Sequence, residues 1–562
     1  MVDALSSREP VVGHSILRLI VRLMSGALLS KMLGFVREIV MALIIGTALA
    51  ADSFRTAITA VLLPISFFQA ETVPAILIPM QKERLCHGTA PQGLAALTLA
   101  LGGISVAIMF ATQLAASPLV DVLVGGFSPD GKDLTVRFVK IMALAMPASV
   151  ILNCLAAGEI ALGRARVSNA RAAMQNLSVL IGLAAIALGA PVIVLAWAFS
   201  LSFNALTLVA ILMLRREGHI DFNAAGPRDT LATAGAFFRR LGPLVPLPMA
   251  EQLNIWLERL FTSRLQGGAV ASLDYARTLT ESFLLLISQP VGLAVLSGAA
   301  SGERPPLSPS PLRGEGAQRA DEGASPLVPS QPSPSSGPTG HLLPAGEKGR
   351  AAALAQEAQA KTIVRAVLAF SLPACAFLFL FAEDIVTAAF HRGAFGQTGV
   401  MLTSHALEGI SLGLWASTLG WILLRLLNGA GRSGRAACIL VLAYAANMAF
   451  NTGVAHLNGD GLPGLAWVGF GESVRSLVLL GGVLLSLRLK VGFWAAFGLA
   501  LIPAGLVLAG GDVVGMCIDG VFARLLAGGA VLCLGWVLAA VLLVPGLVGL
   551  VLRRSFRASP SV

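Results

Sequence analysis

The sequence predicts an all-α polytopic membrane protein of about fourteen helices in two lobes, and three observations carry that expectation. The 562 residues are 56% hydrophobic and only 12% charged, and apolar runs of roughly 20 residues recur from end to end. The loops between those runs alternate between basic and acidic. One stretch between two equally apolar regions, 302–349, is rich in Pro, Ser and Gly. An outer-membrane barrel would instead show short alternating segments.

The segments centre on 16–46, 51–80, 93–125, 134–161, 169–189, 191–214, 241–265 and 270–300, then on 361–388, 401–427, 433–457, 462–487, 493–511 and 525–552. The first is followed by many others and lacks a small-residue cleavage site, so it is expected to be retained. Pro64, Pro74 and Pro79 interrupt the second, and Pro243, Pro246 and Pro248 open the seventh. Each removes a helix hydrogen bond, which membrane helices tolerate where neighbours or water satisfy the backbone. Basic loops hold Lys82, Arg84, Arg164, Arg166, Arg215, Arg216, Arg239, Arg240, Arg432, Arg435 and the tail Arg553, Arg554, Arg557; the alternate loops hold Asp121, Asp130, Asp133, Glu383, Asp384, Asp512 and Asp519. The positive-inside rule then places both termini in the cytoplasm, which needs an even number of spans. The expected division is 1–300 with eight spans, a disordered cytoplasmic insertion over 301–350, and 351–562 with six. The insertion cannot bury enough apolar surface to fold, and an exposed loop tolerates the extra length.

The net charge of +10 belongs to those loops and does not point to nucleic acid. The six cysteines show no paired spacing, so neither a disulfide framework nor a metal site is expected. No phosphate-gripping loop, dinucleotide fingerprint or HExxH occurs, and His391, His405 and His456 are scattered in or near loops. These absences favour a carrier over an enzyme. With no nucleotide-binding domain, the energy would come from a monovalent cation or proton gradient, the membrane potential or a partner.

The informative residues are charges inside the spans. Lys31 and Arg37 lie in the first, in Ser30-Lys31-Met32-Leu33-Gly34-Phe35-Val36-Arg37-Glu38, and Asp52 and Arg55 open the second. A cation near the membrane centre costs about 2.5–3.5 kcal/mol even on the lenient insertion scale, so it normally faces a watery cavity and meets an anion. Six residues apart, Lys31 and Arg37 diverge by roughly 120° and can border one wide cavity. Glu71 falls in the second span, Glu251, Glu258 and Arg259 in the seventh, Asp274, Arg277 and Glu281 in the eighth, Glu472 and Arg475 in the twelfth. Sequence neighbours offer a purely structural alternative, pairing Glu258 with Arg259, Asp274 with Arg277, or Arg37 with Glu38 at an interface. A cationic cavity suits phosphate or pyrophosphate.

The run from Ser30 to Glu38, followed by Ala51-Asp52-Ser53-Phe54, resembles the first-helix motif of the MurJ (MviN) family of lipid II flippases, in the superfamily that also holds the MATE exporters. Leu273-Asp274-Tyr275-Ala276-Arg277-Thr278-Leu279-Thr280-Glu281 resembles that family's eighth-helix motif, and Ala389-Phe390-His391-Arg392-Gly393-Ala394-Phe395 a third. Lys31 stands where the family has arginine. Thr278 stands at an arginine position and Arg277 at the preceding aspartate, and the basic residue of the second span is missing.

The resemblance implies a multi-pass protein of the bacterial inner membrane. It would move undecaprenyl-pyrophosphate-linked peptidoglycan precursor between leaflets by alternating access, without a bound cofactor. Lys31, Arg37, Arg55 and Arg277 would hold the pyrophosphate; Asp52, Glu281 and Glu38 would gate or couple ions. The partners implied are the lipid-linked saccharide, the bilayer, and cell-wall synthesis or division proteins. Alternatives are another lipid-linked oligosaccharide such as an exopolysaccharide unit, an ion-coupled MATE-like exporter, which would want a carboxylate-dominated cavity, or a non-transporting scaffold.

Overall fold

The computed structural model describes residues 31–68, 72–242, 245–282, 345–429, 432–457, 464–487 and 490–545. Among them every regular element is helical. Glu71, the start of the first expected span, the end of the eighth and most of the 301–350 insertion lie outside the described residues.

The chain runs through α1 (31–44), α2 (Leu49–Leu62), a 3₁₀ turn (Leu63–Phe68), α3 (Thr72–Cys86), α4 (Ala90–Leu114) and α5 (Ala116–Leu123). It continues with α6 (Pro129–Met142), α7 (Met146–Ala161), α8 (Arg166–Ala187), α9 (Val194–Arg216), α10 (Pro227–Leu241), α11 (Pro246–Ser263) and α12 (269–282). The second part holds α13 (Ala345–Leu380), α14 (Ala382–Phe390), α15 (Gln397–Gly429), α16 (Ser433–Leu457), α17 (Leu465–Leu487), α18 (Lys490–Cys517) and α19 (Val521–Leu543). Pro64 falls in the 3₁₀ turn, so the second expected span is broken where proline removes the helix bond.

Among the described residues eleven segments are long and apolar enough to cross a membrane, and they fall on the second to sixth and ninth to fourteenth expected spans. The seventh is present as α11, 18 residues with Glu251, Glu258 and Arg259 among them. The chain is therefore a multi-pass membrane protein.

Two apolar cores organise the helices. One gathers α1 to α10 with Tyr275 and Leu279 of α12, and also takes in Val386 and Phe390 of α14, Phe395, and Ala406 and Leu407 of α15. The other joins α13, the later part of α15 and α16 to α19. In this second part α15 and α17 pack with almost no side chain between them. A Cβ at Gly409 would run into the carbonyl of Ala466, and one at Gly469 into the carbonyl of Ala406. Ser473 Oγ donates to the Gly409 carbonyl at 2.6 Å. Small residues let membrane helices approach this closely and gain contact that lipid cannot supply. Gly409→Leu is expected to lower stability by about 3 kcal/mol through overpacking, read as a lower unfolding midpoint of the detergent-purified protein.

Candidate functional site

Nine of the charges within the spans form one connected chain of ion pairs. It begins on α1, where Arg37 donates to Asn176 Oδ1 of α8 at 3.0 Å and to the carboxylate of Glu38. Glu38 also accepts from Arg55 of α2. Arg55 reaches Asp274 of α12 at 3.4 Å and lies over the Tyr275 ring, 4.3 Å from its centroid. Asp274 is gripped by both oxygens from Arg259 of α11, at 3.0 and 2.7 Å. Arg277, one turn along α12, approaches Asp274 at 3.7 Å, pairs with Glu258 of α11, and crosses to Glu472 of α17 at 2.6 Å. Arg475 closes the chain on Glu472, with Nε at 2.7 Å and Nη2 at 2.6 Å.

The sequence pattern explains this linkage. Residues adjacent on a helix point about 100° apart, so Glu258 and Arg259 address different neighbours. Asp274 and Arg277 are three apart on one face of α12, and that face is laid against α11. Of the two expected nearest-neighbour pairs, Asp274 with Arg277 is present at 3.7 Å, with Arg259 closer to Asp274 at 2.7 Å, whereas Glu258 pairs with Arg277 and not with Arg259. Arg37 and Glu38 do bond to each other. Burying such charges is tolerable because each meets an opposite charge and further hydrogen bonds.

The anticipated site residues separate into three groups. Arg37, Glu38, Arg55 and Arg277 are members of the chain. Asp52, buried at the start of α2, accepts from the backbone N–H groups of Gly268 and Ala271, both at 2.7 Å. It thus caps the first turn of α12, where unpaired N–H groups favour a carboxylate. Lys31 and Glu281 pair with each other at 2.5 Å between α1 and α12, with side chains 52% and 57% exposed. So exposed a pair contributes little: Lys31→Ala is expected to change stability by less than about 1 kcal/mol, and a transport defect at an unchanged unfolding midpoint would assign Lys31 to function.

Several polar residues of this region carry no charge and so do not stand out among the intramembrane ions. Asn447 on α16 donates to Asn254 Oδ1 and Glu258 Oε1 of α11, each at 2.8 Å, and accepts from Asn451 at 2.9 Å. Thr59 accepts from Arg259 Nε at 3.3 Å. The i, i+4 spacing of Asn447 and Asn451 in an apolar helix is the trace they leave in the sequence.

The sides of the two parts nearest Gly46 are sealed together. The Ala394 N–H donates to the Leu43 carbonyl at 2.9 Å, and Tyr275 donates to the Gly46 carbonyl at 3.1 Å. Tyr275, Phe390 and Phe395 form a ring cluster with centroids 5.0–5.6 Å apart. The turn around Gly46 and the stretch from Phe390 to Phe395 are in contact here.

A sequence model of the lipid II flippase MurJ family matches residues 41–302 and 350–491. The chain belongs to the lipid II flippase MurJ family. Among solved structures, the fold resembles one described as lipid II flippase MurJ in an inward closed conformation, with a TM-score of 0.71 at 14% identity over 94% of this chain and 100% of that one. An outward-facing multidrug-resistance MATE transporter of the MOP superfamily is similar at a TM-score of 0.50 and 16% identity, over 86% and 96% of the two chains. No curated protein matches the chain in sequence. The family is one of flippases; the members of the charged chain from Arg55 to Arg475 lie within the matched segments, and Arg37 and Glu38 lie just before them.

Proposed function

We propose that this protein moves lipid II across the bacterial inner membrane by alternating access, with both termini in the cytoplasm. The observation that carries this is the row of five arginines inside a flippase-family bundle, reaching from α1 to α17. Arginine forks match pyrophosphate oxygens in pairs. Arg37, Arg55 and Arg277, with Lys31 at the entrance, would receive the pyrophosphate while the polyprenyl tail stays in lipid. The segments 1–300 and 351–562 would rock about this row, and 301–350 would serve as a dispensable spacer. Glu38, exchanging partners between Arg37 and Arg55, and Glu281, released from Lys31, would mark the states. Asp52 would hold the start of α12 as they interchange. An ion gradient or the membrane potential would drive the cycle, with no cofactor, and cell-wall synthesis or division proteins would be its protein partners.

An exporter of cationic drugs would need the carboxylates in excess, whereas here the arginines outnumber them. The deciding experiment is a flipping assay in reconstituted vesicles with lipid II and with a lipid-linked exopolysaccharide intermediate. Faster flipping of lipid II, lost in the Lys31→Ala/Arg37→Ala double variant, is the expected result. Full activity of that variant would remove the arginine row from the mechanism, and preference for the exopolysaccharide lipid would reassign the substrate.

A further inference from the structure

The nine charged residues of the chain differ in accessibility. Glu38, Arg55, Glu258 and Arg259 are sealed. Arg37, Asp274, Arg277, Glu472 and Arg475 keep between 13% and 23% of their side-chain surface. A ligand entering between the two parts therefore meets the second group. Within it Glu472 has a singular position. Its Oε1 accepts from Arg277 of α12 and its Oε2 from Arg475 of α17. Arg277–Glu472 is an ion pair that joins α1–α12 to α13–α19.

Resting on the assignment of a lipid-linked pyrophosphate as substrate, we propose that Glu472 is an internal counter-anion standing where a substrate phosphate docks. The incoming phosphate displaces it, takes over Arg277 and Arg475, and thereby undoes the ion pair between α12 and α17. Arg475 becomes a substrate-contacting residue, and Glu472 a residue that positions the two arginines in its absence.

Three physical points support this. First, an unloaded bundle must neutralise its own cations, because an unpaired guanidinium inside a membrane is costly. Five arginines face four carboxylates here, leaving one formal positive charge in the connected set. Secondly, Glu472 offers one charge and two oxygens to two guanidiniums, whereas a phosphate group offers more acceptor oxygens and can satisfy both forks at once. Thirdly, Arg475 does not depend on Glu472 alone for its place. Its guanidinium lies over the Tyr444 ring, 5.6 Å from the centroid, so it stays oriented when the carboxylate leaves. Exchange of one anion for another then moves the link between α12 and α17 from Glu472 onto the substrate, so the junction of the two parts differs between the empty and the loaded protein.

The test is equilibrium binding of undecaprenyl pyrophosphate to the full chain in lipid nanodiscs. Glu472→Gln removes the competing charge and is expected to bind about tenfold more tightly, the worth of a charge-assisted hydrogen bond. Arg475→Ala is expected to bind about tenfold more weakly, with partial rescue by Arg475→Lys. Glu472→Asp, too short to span both guanidiniums, should also tighten binding and serves if the glutamine variant does not fold. Unchanged or weaker binding by a folded Glu472 variant overturns the displacement while leaving the lipid-linked substrate intact. Failure of the unsubstituted chain to bind this lipid overturns both.

Discussion

Replacing Arg55 by alanine is expected to destabilise the protein by about 3–5 kcal/mol, the range for breaking one partner out of a buried pair. Arg55 is 7% exposed and Glu38 is 2% exposed, so water cannot repair the loss. The substitution strands one oxygen of Glu38, removes a contact to Asp274 and empties the space against Tyr275. Arg55→Lys should cost less, because an ammonium keeps the charge but cannot reach Glu38 and Asp274 together or stack on the ring. The double variant Glu38→Gln/Arg55→Met should recover most of the stability, since removing both partners avoids the uncompensated charge. It should not recover transport if Arg55 receives the pyrophosphate. Thermal unfolding in detergent without substrate separates the two effects. An Arg55→Ala protein as stable as the parent would show that the α1–α2–α12 junction is hydrated.

The same junction shows which features could be read from sequence. Long apolar helices carry their own evidence, because bilayer thickness fixes their length and their composition. The segments from Ala90 to Arg216 and from Lys361 to Leu543 accordingly lie where hydropathy puts them. Cations in apolar helices also announce themselves by their cost, and Arg37, Arg55 and Arg277 all joined the ionic chain. Partner identity was not legible. Asp52 lies three residues from Arg55, the natural local partner, yet the fold brings the start of α12 to it and it binds two backbone N–H groups instead. Likewise Glu258 passes over its neighbour Arg259 for Arg277, nineteen residues on. Local spacing says which residues share a face, while the partner depends on which helix covers that face. Asn254, Asn447 and Asn451 carry no formal charge, so a reading built on intramembrane ions passes over them, although a buried carboxamide also needs partners.

The second large effect concerns the seal. Gly46 sits at φ +65°, a conformation that costs a residue with a side chain about 1–2 kcal/mol, and a Cβ there would press into the Ala394 carbonyl. Gly393 faces the reverse situation at φ +59°, with the Leu43 carbonyl against its missing side chain. The two turns close on each other through main chain, so neither can yield by a side-chain rotation. Gly46→Ala is therefore expected to act on the closed arrangement far more than on the fold as a whole. Every 1.4 kcal/mol lost from the sealed state enlarges the open population tenfold. Val400, fully buried and next in the chain to Gly399, which lies against Thr47, provides the reporter. With the exposed Cys86, Cys438, Cys517 and Cys533 replaced by serine, Val400→Cys should react slowly with a membrane-impermeant maleimide added to either face of the membrane. Adding Gly46→Ala should raise that rate at least tenfold and slow flipping, because a transporter that cannot close one side cannot complete its cycle. If labelling stays slow at normal protein levels, the main-chain contact is not what holds the two parts shut. The aromatic cluster of Tyr275, Phe390 and Phe395 would then be the element to weaken next, by Phe390→Ala, with the same reporter.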